Sequence, residues 1–554
     1  MSAITPSSDL YLLKCPLEMD NLHQLNFANA TTQFNYFNSL PKKLSIDEDD
    51  YSYIRQDSVL RIGAHIDSLL DYNYVMYRNE NYSNKWFYAF ITDMEYLNDN
   101  CTAVTIKTDV WQTWQHELTF KKCFVEREHV NDDTIGLHTI PENLELGEYI
   151  SNSRTHKSYA SPSINGQPSN NVVMCFQVTK LTAGTITFPA TDNPIITGIP
   201  QGCYIFGKEL SNISAGVISF VTGAYDSNGI GDAIVSIFLV PKNVCEWDTK
   251  YATISGQQGD SFLVPKTSYS AVTLDSIDIT LNATLDGYTP KNNKLFTYPF
   301  NYLYVTNNAG ADVTYHYEMF SQNEPYFTVT GAFEQGGNLM LEPVNSLSSD
   351  RTNVWGAYNE GVPSGKLPCL SWSSDYYLNW KAINGKNVEV QTAIGGIGFG
   401  VNMALDIAGM AMGQPTGGSG QGVLGLASGL ANTLQQVKEA KMTPPQAKGN
   451  VAGGDLQFSA DRCGWTFRKM SIKREYAEII DNYFSQVGYR VNTVKLPNLT
   501  GRRNWNYVKT IDVNILADIP QSDLDEIKGF FNRGITIWHN PATYLDYNQN
   551  NDIV

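Results

Sequence analysis

Four carboxylates fall within a short stretch, Glu126, Glu128, Asp132 and Asp133, with Cys123 before them and His129 and His138 among and after them. Paired carboxylates serve glycoside cleavage when one protonates the leaving oxygen and another acts as base or nucleophile, which requires two of them to face each other. The histidines and the thiol are metal-ligand types, but no two stand at zinc-finger or zincin spacing, so surface or structural histidines are expected. Gly259-Asp260-Ser261-Phe262 has the form of one lipase family's nucleophile block, a match short enough to arise by chance. Asp47-Glu48-Asp49-Asp50 is an acidic run of cation-binding type, and more often such a run is a solvated loop. Gly361-Val362-Pro363-Ser364-Gly365-Lys366 has the wrong glycine spacing for a phosphate loop. Arg502 and Arg503 with Trp505 and Tyr507, and Lys473 with Arg474, mix cations and aromatics as single-strand surfaces do, although a salt-bridged structural patch suits an acidic chain better. None of these groups commits the chain to an enzymatic reaction, and no metal or cofactor is expected.

The elements that must position these groups read as mainly β. The chain has 554 residues, enough for two to four domains, and its 32 tyrosines recur with Asn, Thr and Val in short alternating runs. Strands are expected at Ser58–Ile66, Asn73–Arg78, Lys85–Met94, Ala103–Thr108 and Leu118–Val125, assembling as a meander or barrel, with a short helix at Val110–Gln115 that caps the sheet through Trp111 and Trp114. The middle third continues in strands with little helical period. Near the C-terminus the pattern turns to α+β. Tyr476–Val487 has helical spacing and stops at Gly488, and a second helix runs from an N-cap at Ser522, with Asp525 three residues on, to a stop at Gly534. Strands Tyr507–Val513 and Ile535–His539 flank these helices.

The net charge of -17 disfavours a tight nucleic-acid binder, since neutralising phosphate takes clustered Lys and Arg. It suits a conduit through which a polyanion slides without sticking. No charged n-region followed by an apolar h-region opens the chain, so secretory export is not indicated. The eight cysteines are scattered singly (Cys15, Cys101, Cys123, Cys175, Cys203, Cys245, Cys369 and Cys463), a pattern of free thiols folded in a reducing cytosol.

The segment Thr392–Val437 departs from all of this, with 12 glycines, 21 apolar residues and one charge, Asp406, in 46 positions. Ile394, Ile397, Val401, Leu405, Ala408 and Met412 recur at steps of three and four, as do Val423, Ala427, Leu430, Leu434 and Val437. Phe399, Ile407, Met410, Leu424 and Leu426 add to the apolar surface. A turn-rich linker, Gln414–Gly422, lets the two halves fold back as a helical hairpin. Each half is marginal for spanning a bilayer, and Asp406 would cost roughly 3 kcal/mol in lipid, so constitutive anchoring is not expected. Asn402 and Asp406, four residues apart, share one polar strip that could face water while the alkyl groups face lipid, which makes them pore-lining candidates. A glycine-rich core hairpin or a loop is the alternative reading of the same residues.

Several ordered blocks resemble the tail knob protein family of short-tailed bacteriophages of Gram-positive hosts. Near the N-terminus these are Asn84–Asp93, Thr108–Trp114 and Phe124–Val130. Near the C-terminus they are Ile472–Tyr476, Gly488–Asn492, Lys495–Leu499, Asn506–Val508 and Gly534–His539. Together they cover about 200 residues at the two ends, and none is a catalytic signature.

The resemblance implies a homohexameric tube at the distal end of the tail, made in the host cytoplasm. Its partners would be upstream connector or collar proteins, tail-tip proteins and, during entry, host cytoplasmic membrane lipid, with DNA in transit through the lumen without specific binding. It also implies that the apolar loop plugs the lumen and is released to penetrate the membrane as a channel for DNA ejection. The expected organisation is 1–150 and 451–554 as the two halves of a barrel-like tube domain, 151–390 as a β-rich inserted region and 391–450 as the loop. A receptor-binding or cell-wall glycan-degrading tail protein is the alternative function.

Overall fold

This computed structural model describes residues 8–371 and 463–554, apart from short breaks within 47–57, 80–83, 160–170, 191–203, 213–232, 267–271, 332–336 and 348–368. The chain forms two compact units, Met1–Gly147 with Gly287–Leu295 and Lys473–Val554, and Glu148–Asp286 with Phe296–Ile472. The fold is mainly β, as its alternating sequence requires.

In the first unit an antiparallel seven-stranded sheet runs in the order Lys42–Ile46, Ser8–Leu13, Tyr74–Asn79, Trp86–Asn98, Cys101–Thr108, Val59–Ile62, Tyr51–Ile54. Alternation sends Tyr74, Met76, Tyr88 and Phe90 to one face, while Val75, Ala89, Val104 and Ile106 line a separate core on the other. A sheet apolar on both faces must be covered on both, which a curled, barrel-like sheet achieves on its concave side. Helix Ala30–Ser39 covers the aromatic face, laying Phe37 parallel to Tyr74 at a ring separation of 5.5 Å. Asn29 starts that helix by accepting from the Thr32 backbone N–H at 2.8 Å.

A second sheet, in the order His23–Leu25, Ile535–Trp538, Trp505–Ile511, Cys123–Glu128, Tyr489–Lys495, joins the two ends of the chain, with Leu25 paired in parallel with Trp538. Trp505 and Trp538 complete the aromatic core begun by the first sheet. Helix Arg474–Val487 buries Ala477, Ile480 and Phe484 at steps of three and four and ends at Gly488, whose φ of +65° suits glycine. A Cβ there would sit 2.1 Å from the Glu128 carbonyl oxygen, so the position also depends on the absent side chain.

Three expectations are corrected in this unit. The run Ser58–Ile66 is a strand only at Val59–Ile62, because the chain turns into a short 3-10 segment at Ile66–Ser68 capped by the His65 ring. Leu118–Val125 is two strands, Thr119–Phe120 and Cys123–Glu128. Helix Gln521–Arg533 has its N-cap at Pro520, two residues before Ser522: the Pro520 carbonyl accepts from the backbones of Asp523 and Leu524, and the Ser522 hydroxyl donates instead to Asp523.

The second unit holds an eight-stranded sheet with Val172–Val178 between Tyr204–Glu209 and Ile234–Pro241. Against the expectation of little helical period, helix Ala215–Ser227 forms here and sends Val217, Val221, Ala224 and Tyr225 into a core with Phe188 and Phe206. The four-residue step from Val217 to Val221 was the available signal. A further core lies between the sheet of Tyr149–Ser158, Gly464–Ile472, Asn301–Thr306 and Asp312–Tyr315 and that of Val272–Asp278, Tyr326–Gly331, Leu339–Pro343 and Val362–Pro363. Strand Gly464–Ile472, within the expected C-terminal half of the tube domain, is hydrogen-bonded on both edges in this second unit, to Tyr149–Ser158 and to Asn301–Thr306. The chain enters the first unit again at Lys473.

Candidate functional site

The membrane-active candidates Ile394, Ile397, Phe399, Val401, Leu405, Ile407, Met410, Met412, Val423, Leu424, Leu426, Leu430 and Leu434, and the pore-lining candidates Asn402 and Asp406, lie outside the described residues. What is described is the chain on either side. It departs after strand Cys369–Ser371, paired with Ile234–Pro241 along the edge of the eight-stranded sheet, and returns at Cys463. Cys463 is fully buried in the same core as Leu367, its thiol 3.9 Å from the Gly365 carbonyl oxygen, and its own carbonyl accepts from the Tyr159 backbone at 3.2 Å. The intervening 91 residues, 372–462, are therefore held at both ends in one core. Among the described residues no helix is long and apolar enough to cross a membrane.

The four carboxylates of the 126–133 stretch do not converge. Glu126 pairs with Lys509 at 2.9 Å. Glu128 is fully buried, pairs with Lys495 and accepts from the Asn498 backbone at 2.8 Å. Asp132 is exposed and accepts from Thr134, while Asp133 accepts from the Tyr489 hydroxyl at 2.8 Å and the Asn293 backbone at 3.0 Å. No two share a partner, so the arrangement is structural. Ser261 sits inside strand Gln257–Pro265, not on the strand-to-helix turn that exposes a hydrolase nucleophile. Backbone groups around Gly361 are committed to strand pairing, with the Ser364 N–H donating to Leu339. The run Asp47–Asp50 lies outside the described residues. Arg502 donates to the carbonyls of Val130 and Asn551, Arg503 pairs with Asp552 at 3.8 Å, and Trp505 is buried with its indole N–H on the Ser485 carbonyl. Arg502 is thus held by backbone carbonyls, and Arg503 by one exposed ion pair. Cys15, Cys101, Cys123, Cys175, Cys245 and Cys463 are free thiols, and among the described residues no cluster suited to a metal ion occurs.

His129 is buried between two backbone groups. Its Nδ1 accepts from the Tyr507 N–H at 2.7 Å, so the proton resides on Nε2, which faces the Ser485 carbonyl at 3.1 Å. Desolvation, with Arg502 nearby, lowers its pKa to about 3, and burial lowers that of His539 to about 4. Stability held by these neutral rings is fully present above their unfolded pKa near 6.5 and is lost as pH falls toward the folded values. Asp109, raised by burial to about 6, acts in the opposite sense between 3.8 and 6. Replacing His129 by Gln is therefore expected to flatten the melting temperature against pH between 6.5 and 4, removing up to about 1.4 kcal/mol per pH unit. Unchanged slope in thermal melts would locate the acid sensitivity elsewhere.

Residues that sequence reasoning did not find form a buried polar network in the first unit. Glu142 is held by Arg127 and Lys294, both almost fully buried, and accepts from the Arg490 backbone at 3.0 Å. Arg127 also donates to the Gly488 carbonyl at 2.7 Å. Desolvation lowers the Lys294 pKa against the pull of Glu142. Asp481 accepts from the Tyr288 hydroxyl and the Lys291 backbone, both at 2.7 Å, and from Asn292. The segment Gly287–Leu295 is thus fastened to a helix and a strand from the other end of the chain. Partners separated by 152 and 189 positions leave no local signal.

Similarity to known proteins extends over nearly the whole chain. The protein-family model for the C-terminal domain of tail knob protein gp9 of Bacillus phage phi29 matches residues 263–552, across the apolar segment, and that for the N-terminus of the caudoviral major tail protein matches 8–119. Tail knob protein gp9 of Bacillus phage PZA is 26% identical, with 95% of this chain and 96% of that protein covered. The gp9 proteins of phages phi29 and B103 are 25% and 26% identical over the same 95% of the chain. The solved structure of the bacteriophage C1 tail knob protein, gp12, superposes with a TM-score of 0.65 at 15% identity and covers 99% of this chain and 100% of its own, a likeness of fold.

Proposed function

We propose, from the premise that this chain belongs to the phage tail knob protein family and is a structural component of the virion tail, that it forms a homohexameric distal tube whose apolar segments open the host membrane. The observation that carries this reading is Thr392–Val437: one charge among 46 residues in a chain of net charge -17, inside the family match. In a closed ring six such segments bury one another from water within the bore. Released at the cell, their alkyl groups enter lipid, while Asn402 and Asp406 line the passage through which DNA moves without specific binding. Anchoring of both flanks in one core supports the reading, because the segment then shifts without unravelling the sheet that holds it. The protein is no enzyme in this reading. It joins connector or collar proteins above and tail-tip proteins below, residing in the distal tail and contacting cytoplasmic membrane lipid during entry.

The test is dye release from liposomes over a range of pH by the purified protein and by a variant lacking Thr392–Val437. Release that needs the segment is expected. Equal release by the variant, or none from either, would overturn the membrane role and leave a passive tube. The mid-strand Ser261 and the separately paired carboxylates weigh against the glycan-degrading alternative.

A further inference from the structure

The sheet that carries strand Gly464–Ile472 has one face in a core and one face turned away. Leu303, Val305, Phe467 and Tyr315 point into the core, so alternation places Tyr302, Tyr304 and Arg468 on the opposite face. Register then sets Arg154 directly opposite Arg468, and Arg468 directly opposite Tyr304. Residues so paired have Cβ atoms about 5 Å apart, where like charges repel. Arg154 is exposed, and the Nε of Arg468 is buried with no hydrogen-bond partner. Among the described residues neither guanidinium has a carboxylate partner. Two cations brought together without an anion, in a chain with 17 surplus negative charges, are an arrangement for an anion supplied from outside.

Further along the same sheet, two residues before Tyr304, Tyr302 begins a set of tyrosines. The Tyr302 ring lies 5.4 Å from Tyr149 and 6.0 Å from Tyr298, which are 38% and 43% exposed, and Tyr298 is stacked on His316 at 3.9 Å. Rings held by one another lose little freedom on binding. The neighbouring Glu318 is turned inward and accepts from the Tyr298 backbone at 3.1 Å, and Asp312 and His156 stand on a row two residues further along.

We propose that this face binds a phosphodiester-bearing glycan, whose sugar rings pack on Tyr298 and Tyr302 and whose phosphate is held by Arg154 and Arg468. A continuous polyanion such as DNA needs a track of cations, whereas this face offers one arginine pair and several apolar ring faces, which fits sparse phosphates on a sugar chain. Paired arginines in place of paired acids bind without cleaving. The site lies wholly in the second unit and does not depend on the membrane role of Thr392–Val437.

Calorimetric titration of the full chain tests it, with a phosphodiester-linked oligosaccharide, the neutral oligosaccharide of the same sugars and a short single-stranded DNA as probes. The phosphorylated glycan is expected to bind at least about ten-fold more tightly than either other probe, and R154A and Y302A each to weaken it by about ten-fold or more. Because Arg154 is exposed and faces a like charge, R154A is also expected to melt at or above the temperature of the unaltered protein, which separates lost binding from lost folding. Equal affinity for the neutral glycan, DNA binding as tight as the phosphorylated glycan, or unchanged affinity in R154A would each overturn the proposal.

Discussion

Virions whose tail protein carries a short glycine-serine bridge in place of Thr392–Val437 are expected to assemble and adsorb at wild-type levels yet deliver DNA at background levels. The expectation of normal assembly rests on the described flanks. Ser371 is held by strand pairing to Ser236, and Cys463 is buried in the core that also contains Leu367, so replacing 392–437, which lies between them, leaves these anchors intact. Loss of delivery follows from where the apolar surface lies. Each large aliphatic or aromatic side chain moved from water to lipid contributes about 1.5–3 kcal/mol, so a few of the 13 apolar side chains put forward as membrane-active outweigh the roughly 3 kcal/mol that Asp406 costs in lipid. Without them nothing among the described helices can cross the bilayer. Plaque titre, adsorption and DNA release are measured on the same particles. Normal infectivity of the bridged particles would sink the membrane role while leaving family membership untouched.

The largest stability effect is expected from Glu142→Ala. The substitution removes the carboxylate that pairs with both Arg127 and Lys294, whose side chains are 9% and 2% exposed, and so takes the countercharge of Glu142 away from two cations in the interior. Breaking a buried pair in this way costs roughly 3–5 kcal/mol, which for a unit of this size lowers the melting temperature by on the order of 10 °C. The exposed pair Arg474–Glu478 provides the contrast, since Glu478→Ala is expected to change stability by at most about 0.5 kcal/mol. Replacing Arg127 and Lys294 by Met together with Glu142→Leu is expected to restore much of the loss, because the cost lies in the uncompensated charge rather than in the absent pair. Similar melting of the Glu142→Ala and Glu478→Ala proteins would show that the buried network is hydrated and adds little.

The two ends of the chain were legible for local reasons. Alternation over Lys85–Met94 and Ala103–Thr108, helical spacing over Tyr476–Val487 and the stops at Gly488 and Gly534 are properties of neighbouring residues, and the strands and helices form where that spacing puts them. Boundaries failed where a competing hydrogen bond intervened. The Pro520 carbonyl displaced Ser522 from the N-cap, and a 3-10 turn capped by His65 cut short the strand expected to reach Ile66. Helix Ala215–Ser227 lies in a middle third whose overall pattern shows little helical period, and its packing against the sheet reveals it.

By itself the sequence determined the mainly β class, the family blocks at both ends and the one segment whose composition belongs to neither unit. Each follows from residue type and short-range period. Only the tertiary structure decided which charges meet. It separated the carboxylates of 126–133 onto different partners, enclosed Glu142 between Arg127 and Lys294, fastened Asn292 to Asp481 and brought Arg154 beside Arg468. Electrostatic and hydrogen-bond energies depend on distances of a few ångströms between groups hundreds of positions apart, and only the closing of sheets and packing of helices brings those distances into being.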